Sequence, residues 1–525
     1  MTRTHVEVRQ GQYHDSVTLL GVSRTVAQVP GVAAAQVAMA TPLNLDVLAQ
    51  MGFELPPTGV DDLVVALRFD PDGTDGTDGT DAVRKSALTA LQQALTPRRE
   101  SATAQTAPAR TSASSLRADP TPLVLVSVPG ESASAEAWDA LDAGAHVMLF
   151  SDNVTLDDEV ALKRAAAERG LLVMGPDCGT AVVGGVGLGF ANVVRPGPVS
   201  IVAASGTGAQ HLMSLLDAQD VGVRHCLGLG GRDLGARVGG LAAEQALRLL
   251  ADDDGTELVV LVSKPADEAV VSRLEALAAE LGLVLVQAVL GADSPGLTVA
   301  AEQVCERLGV ATTAWPTWSP SGVGGFSGAG GSSGARSSGA SQTALLRGLF
   351  AGGTLCDESM VLAARSLGPI ASNVPLPGAP AVDAAGPGAL ASALATAGHA
   401  VVDLGDDTLT VGRAHPMIDP SLRLDAIADA ADDPRVRVLL LDVVLGHGAH
   451  ADPASAHVPA IEQAIGTARA GGRDLDVVVA LVGTRDDPQG RDAQAEALAS
   501  AGAYVHLSNA AATAAAVDLV TGAVR

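Results

Sequence analysis

Aromatic side chains are nearly missing from this chain: six Phe, two Tyr and three Trp make up 2% of its 525 residues. Its cores must therefore be packed by Ala, Val and Leu, and a hydrophobic content of 47% leaves ample material for several. Cysteine is also scarce. Cys178, Cys226, Cys305 and Cys356 stand far apart without a CxxC pair, which excludes a disulfide framework and a zinc site. No metal site is expected. No apolar run reaches the ~18 residues of a membrane-spanning helix, and the opening MTRTHVEVRQGQ lacks the apolar segment of a signal peptide. A cytoplasmic protein is the expectation. Basic residues are outnumbered, 33 Lys and Arg against 59 Asp and Glu, for a net charge of −26. That field repels nucleic acid and anionic membranes, so neither is an expected partner. A small anionic metabolite remains possible, because backbone N–H groups and a few local cations suffice to hold one.

What is present is a succession of domains, three or four by length. Residues 1–96 read as a small α+β unit with strands at HVEVRQ, Ala33–Ala38 and DDLVVALRF. Its helices are expected from Asp15-Ser16 through Val26, near Asn44–Met51, and from Ala82 to Leu95. The repeat DPDGTDGTDGTD fits no calcium loop and reads as a flexible acidic hairpin insertion. Residues 97–120 are a Ser/Ala/Thr/Pro-rich linker, and 311–343 a Gly/Ser-rich tether. From 121 to 197, from 198 to 310 and from 344 to 525 the pattern alternates strand and helix. That is the signature of α/β architecture: tandem Rossmann-like and flavodoxin-like parallel sheets.

In such sheets ligands bind beyond the carboxyl ends of the strands. The most telling stretch is PVSIVAASGTGAQHL, Pro198–Leu212: a buried strand to Ala203, a turn at Ala204–Gly208, then a helix. The turn aims free N–H groups of Ser205, Gly206, Thr207 and Gly208, and the positive helix end, at a phosphate or carboxylate. Gly230, Gly231 and Arg232, and then Lys264 after strand ELVVLVSKP, fall on the same edge. Asn153 in SDN and Asp177 and Cys178 in GPDCG fall on the edge of the preceding sheet, where plain turn and cap chemistry explains them equally. Cys178 is open to the same reading as a buried structural thiol. His447 and His450 sit in a loop after a buried strand, where His447 is either a general base or a surface histidine with a backbone partner. His211 reads as packing. Asp403, Asp406 and Asp407 either hold Mg²⁺ or cap the following segment, and capping is the simpler account.

Taken in order, these turns resemble the succinyl-CoA ligase superfamily. GPDCG matches its GPNCxG turn, IVAASGTG its SxSGT turn and GLGGRD its GxGGD turn. VVDLGDD and LLLDVVLGHGAHAD stand where the ligase β subunit's carboxyl-terminal domain has its LDxGG strand and glycine loop. FSDNV, GPDCGT, GLGGRDL, DLGDD and HPMIDP are similar to the motifs of the FdrA group, acyl-CoA-synthetase-like proteins. The resemblance covers nearly the whole chain outside the linkers.

The departures restrict what the resemblance implies. The ligase's GHAGA histidine has no counterpart near Leu290–Gly309, and Ser263-Lys264 replaces the glutamate that orients it. The N-terminal unit stands where the glycine-rich CoA loop would be, and no ATP-grasp domain is present. The chain lacks both phosphoryl donor site and carrier, so it is not a complete ligase. No intrinsic cofactor is expected; the implied ligand is phosphate or an acyl or carbamoyl phosphate, with CoA possible and ATP/Mg only through a partner. Three functions follow from the resemblance. The first is an acyl or carbamoyl transferase subunit, of the oxamate carbamoyltransferase type associated with the FdrA group in allantoin and purine breakdown. The second is an acyl-CoA synthetase subunit needing a separate ATP-grasp chain, and the third a non-catalytic scaffold. Each implies other subunits in a homo- or hetero-oligomer. Lys264 and His447 are the expected catalytic residues, with His447 and His450 able either to replace the missing carrier or to act as a general base.

Overall fold

The computed structural model describes residues 3–12, 14, 16–59, 62–70, 76–95, 109–291, 294–320, 344–410 and 413–523. Two compact units result: Met1–Pro120 with Val126–Glu136 and Val411–Ala414, and Thr121–Leu125 with Ala137–Thr410 and His415–Arg525.

The first unit holds β1 (Arg3–Arg9), α1 (Ser16–Ala27), β2 (Val32–Met39), α2 (Pro42–Gln50), β3 (Leu63–Phe69), α3 (Gly76–Leu95) and α4 (Ser112–Ala118). Its strands form an antiparallel sheet in the order β1-β3-β2. Alternation along LVVALRF sorts the faces. Leu63, Val65, Leu67 and Phe69 join Leu19, Val22, Val26, Ala87 and Leu91, while Val64 and Ala66 join Leu48 and Phe53. Two expectations are corrected. The Gly-Thr-Asp repeat, from Gly76 on, is not a flexible hairpin but the opening turns of α3; its first part lies outside the described residues. The linker is not structureless throughout either: Thr111 and Ser114 form a reciprocal cap that starts α4.

The next elements are β4 (Leu123–Val126), α5 (Gly130–Asp142), β5 (His146–Leu149), α6 (Leu156–Glu168) and β6 (Val173–Met174), and β4-β5-β6 form one sheet. Thr155 caps α6, accepting the Asp158 N–H at 3.1 Å, and its hydroxyl donates to the Asp158 carboxylate at 2.8 Å. A second sheet uses β7 (Thr180–Val183), β8 (Val186–Gly189), β9 (Val199–Ala204), β10 (Val223–Gly228), β11 (Leu258–Ser263) and β12 (Val284–Val289). Its helices are α7 (Gly206–Ala218), α8 (Leu241–Ala251), α9 (Glu268–Glu280) and α10 (Leu297–Arg307). The order is β12-β11-β9-β10-β7-β8, with the first four strands parallel. The β7–β8 hairpin is antiparallel, so this sheet is mixed rather than purely parallel.

The third sheet runs β13-β18-β17-β16-β14-β15. Its strands are β13 (Thr317–Trp318), β14 (Leu345–Phe350), β15 (Ala400–Asp403), β16 (Val436–Val444), β17 (Asp476–Val482) and β18 (Ala503–His506). Helices α11 (Gly353–Leu367), α12 (Pro387–Leu394), α13 (Asp407–Thr410), α14 (Ser421–Asp432), α15 (Pro453–Ala470), α16 (Arg491–Ser500) and α17 (Asn509–Thr521) complete it. β13 adds antiparallel to β18, so the expected tether contributes a strand before the undescribed residues 321–343. Both faces of the parallel strands are covered, which is why VRVLLLDVV and DVVVALV are continuous apolar runs. Among the described residues no helix is long and apolar enough to cross a membrane.

A polar seam joins the second and third sheets. Asp487 accepts from Asn192 Nδ2 and the Val193 N–H, both at 2.7 Å, and Thr484 Oγ1 donates to the Val193 carbonyl at 2.7 Å. Glu358 accepts the Leu297 N–H at 2.7 Å, and His211 Nε2 accepts the Asn509 N–H at 3.3 Å. His211 is thus a buried packing residue, and burial pushes its pKa down to about 3.

Candidate functional site

Each of these two sheets reverses its strand order at one place, β11/β9 in the second and β14/β16 in the third. Such switch points open a crevice at the strands' carboxyl ends. Ser263 pairs in register with Ala204, so Ser205 and Lys264 leave the second sheet side by side. Phe350 pairs with Asp403, so Ala351-Gly352 and Asp403 leave the third sheet together.

The two crevices meet. Ser205 is the N-cap of α7 and accepts the Gly208 N–H at 3.0 Å, while its hydroxyl also bonds that of Thr354 in the first turn of α11. The helix therefore begins at Gly206, inside the expected turn. Glycine allows the approach of the two helix starts. A Cβ on Gly352 would stand 3.0 Å from Thr207 Oγ1, and one on Gly208 would stand 2.9 Å from Thr354 Cγ2. Asp442 fixes the other side, accepting the N–H groups of Ala351 at 2.8 Å and Gly352 at 2.7 Å while paired to Arg423 at 2.8 Å. Two helix N-termini, each carrying partial positive charge, thus face one spot.

Lys264 reaches that spot. A Cβ on Gly353 would stand 2.5 Å from both Lys264 Nζ and Asp403 Oδ2. Among the described residues the Lys264 ammonium has no hydrogen-bond or ion-pair partner. Burial lowers its pKa, but Asp403, Asp357, Cys356 and Asp406 outweigh that and the net shift is upward. Burial pushes Asp403 up to about 7, against the pull of Lys264 and the Gly405 N–H, and pushes Asp357 up to about 6. Asp177 retains solvent contact, yet the protein packed around it, with Asp407 and Asp152, raises it to about 6.

The remaining expected residues are spread around this centre. Gly230 packs against the Pro176 carbonyl at φ +80°, while Gly231 has open space. The Arg232 guanidinium is already engaged, with Glu159 at 2.9 Å and the Val154 carbonyl at 2.9 Å. Asn153 is exposed, in a left-handed turn at φ 54°. Cys178 faces inward: its Sγ lies 3.6 Å from the Thr180 carbonyl, and burial pushes the thiol up to about 12. His447 is exposed, its N–H donating to the Ala191 carbonyl at 2.8 Å, and the structure gives it no bond to the Ser205 turn or Lys264. Asp403 Oδ1 accepts the Gly405 N–H at 2.9 Å, the capping role expected of it.

Sequence reasoning missed Thr354, Asp357, Asp442 and Arg423, although Gly352-Gly353-Thr354 before a helix was a signal of the same kind as Ser205–Gly208. It also missed the ion cluster behind the Gly228–Asp233 turn. Lys163 donates to Glu159 at 2.7 Å, Asp233 at 2.8 Å and the Leu229 carbonyl at 2.9 Å, all fully enclosed. Asp233 also accepts the N–H groups of Ala242 and Ala243, capping α8.

Residues 349–519 match the CoA-ligase family model, and residues 1–111 match that of the AllF heavy metal-associated domain. The chain is 34% identical over 515 residues to the protein YahF of Escherichia coli (strain K12), covering 96% of each. It is 29% identical over 144 residues to succinate–CoA ligase [ADP-forming] subunit alpha 2 of Archaeoglobus fulgidus, covering 27% of this chain and 49% of that one. Among solved structures, a dinucleotide-forming acetyl-coenzyme A synthetase 1 of Ca. Korarchaeum cryptofilum, in complex with phosphate and ADP, shares 14% identity. It covers 78% of this chain and 86% of its own at a TM-score of 0.27, too low a score to build on. Fold and relatives define a succinyl-CoA-ligase-like, acyl-CoA-synthetase-like protein. Within that class the chain belongs to the FdrA family.

The AllF model's name invites a test for metal. Soft metals are held by thiolates, and the first cysteine of this chain is Cys178, so residues 1–111 have none. Among the described residues no group of three His, Cys, Asp or Glu could hold a metal ion. The residues do not fit a heavy-metal site.

Proposed function

We propose that this chain is the acyl-phosphate-handling subunit of a transferase, most simply one that moves a carbamoyl group between phosphate and an amide acceptor, as in oxamate carbamoyltransfer. The observation that carries this reading is the meeting of two helix N-termini over a lysine ammonium that has no partner among the described residues. Backbone N–H groups of Gly206, Thr207, Gly353 and Thr354 stabilise oxyanions on the transferring group, while the Gly208 N–H is taken up by the Ser205 cap, and Lys264 supplies the countercharge that a phosphate needs. Acyl transfer from a phosphate needs no ATP and no phosphoryl-carrier histidine, which agrees with Leu290–Gly309 having no counterpart of the ligase's GHAGA loop. The match to the AllF model supports a place in allantoin breakdown. The family's ligase members support work within a multi-chain assembly of small-metabolite enzymes, in which CoA would be a ligand of the alternative, synthetase reading.

Calorimetric titration of the full chain with carbamoyl phosphate and with CoA tests the proposal. Carbamoyl phosphate should bind, and Gly206→Val should abolish that binding without unfolding, because a side chain there points at Thr180 Oγ1, 3.2 Å from a Cβ. CoA binding alone would replace the transferase reading with the synthetase one. Unchanged carbamoyl phosphate affinity in the Gly206 variant would remove the site.

A further inference from the structure

A transfer to an amide acceptor needs a group that takes the attacking nitrogen's proton. We infer that Asp403 is that proton acceptor, working beside Lys264 across the Cβ-less Gly353; the inference rests on the carbamoyl-transfer reading above. The geometry divides the carboxylate's two oxygens. Oδ1 is fixed by the Gly405 N–H at 2.9 Å, and Asn373 holds the backbone, donating to the Asp403 carbonyl at 2.8 Å and accepting its N–H at 2.9 Å. Oδ2 has no hydrogen-bond partner among the described residues and points over Gly353 toward the Lys264 ammonium. Only 5% of the residue is exposed, so the group is held rigidly and shielded from bulk water. A carboxyl raised to about 7 by that burial is matched to proton transfer near neutral pH.

The step balances. The amide nitrogen attacks the carbonyl carbon of carbamoyl phosphate, forming the C–N bond, and the carbonyl electrons move to an oxyanion facing Lys264 and the helix N-termini. Collapse breaks the C–O bond to phosphate, which leaves with the electron pair. The N–H proton passes to Asp403 Oδ2 and from there to the departing phosphate, released as hydrogen phosphate. Nothing is oxidised or reduced.

The test uses the full chain in the assembly in which it is isolated, with carbamoyl phosphate and oxamate as probes. Asp403→Asn should keep carbamoyl phosphate binding by calorimetry, while carbamoyl transfer falls by roughly 10²–10⁴-fold and the acid limb of the kcat/KM–pH profile disappears. Asp403→Glu, which restores a carboxylate, should recover part of the rate. If the asparagine variant fails to fold, Asp403→Ser serves instead, since it leaves Lys264 in place; it too should keep binding and lose transfer. Wild-type turnover in Asp403→Asn, or a retained acid limb, overturns the assignment. So does loss of binding together with transfer, which would make Asp403 structural, and so does a wild-type protein that binds carbamoyl phosphate but transfers nothing to oxamate. A wild-type protein that binds no carbamoyl phosphate overturns the underlying site instead.

Discussion

Replacing Lys163 by methionine removes the one cation buried among Glu159, Asp233 and the Leu229 carbonyl, and the consequence follows from what each partner keeps. Glu159 retains Arg232 at 2.9 Å, and Asp233 retains two backbone N–H groups at 3.1 and 3.0 Å. The Leu229 carbonyl loses its side-chain donor. With Lys163 present, two cations balance two carboxylates; without it, the cluster carries one uncompensated negative charge in a region where both carboxylate side chains are 0% exposed. Breaking a buried pair by removing one partner costs about 3–5 kcal/mol, and the surviving bonds place Lys163→Met near the lower end. Urea denaturation followed by Trp138 fluorescence should show a midpoint lowered by roughly 1 M for a slope near 3 kcal/mol/M. The double variant Glu159→Met/Lys163→Met removes the unpaired charge and should be more stable than the single. A single variant within about 1 kcal/mol of wild type, or a double variant no better than the single, refutes the reasoning.

Two further predictions concern the site. His447→Ala should change carbamoyl phosphate affinity by less than about twofold, because the exposed side chain is not what holds its loop to Ala191; a tenfold loss by calorimetry would bring His447 into the site. Stability should fall as pH rises from about 4 toward 7. Asp403, Asp357 and Asp177 are raised to about 7, 6 and 6, so the folded chain keeps protons that the unfolded chain has already released across that window. Asp403 alone accounts for on the order of a few kcal/mol of this, and Asp403→Asn should flatten the slope of denaturation free energy against pH.

Most of the fold was legible because its signals are local. Parallel strands covered on both faces must be continuous apolar runs, and VSIVAA, LVVLVS and VVVALV are that. The errors fall where local signal and tertiary context disagree. Gly-Thr-Asp repeats have poor helix propensity, yet they extend α3, whose remainder carries the core contacts Ala87 and Leu91. Thr317-Trp318 has no periodicity of its own and becomes a strand because β18 offers it an edge. The β7–β8 hairpin carries little strand pattern of its own, because β8 is only VGLG.

The site divides along the same line. A small-residue turn after a buried strand announces a helix N-terminus, so Ser205–Gly208 could be named from sequence. What makes it more than a steric turn is a second N-terminus at Gly352–Thr354, and nothing local records that the two meet. Their meeting is set by the polar seam: Asp487 on Asn192 and Val193, Glu358 on Leu297, and Asn509 on His211, all pairs more than 60 residues apart in the chain. Lys264 could be suspected as a cation on the right edge, but its importance lies in lacking a partner, which only packing reveals. Asp403 was read as a cap, correctly for Oδ1; that its second oxygen faces Lys264 depends on Gly353 having no side chain. In a chain of net charge −26, an anion site is possible where backbone N–H groups converge and an ammonium has no hydrogen-bond or ion-pair partner among the described residues. The crevice between the second and third sheets meets both conditions.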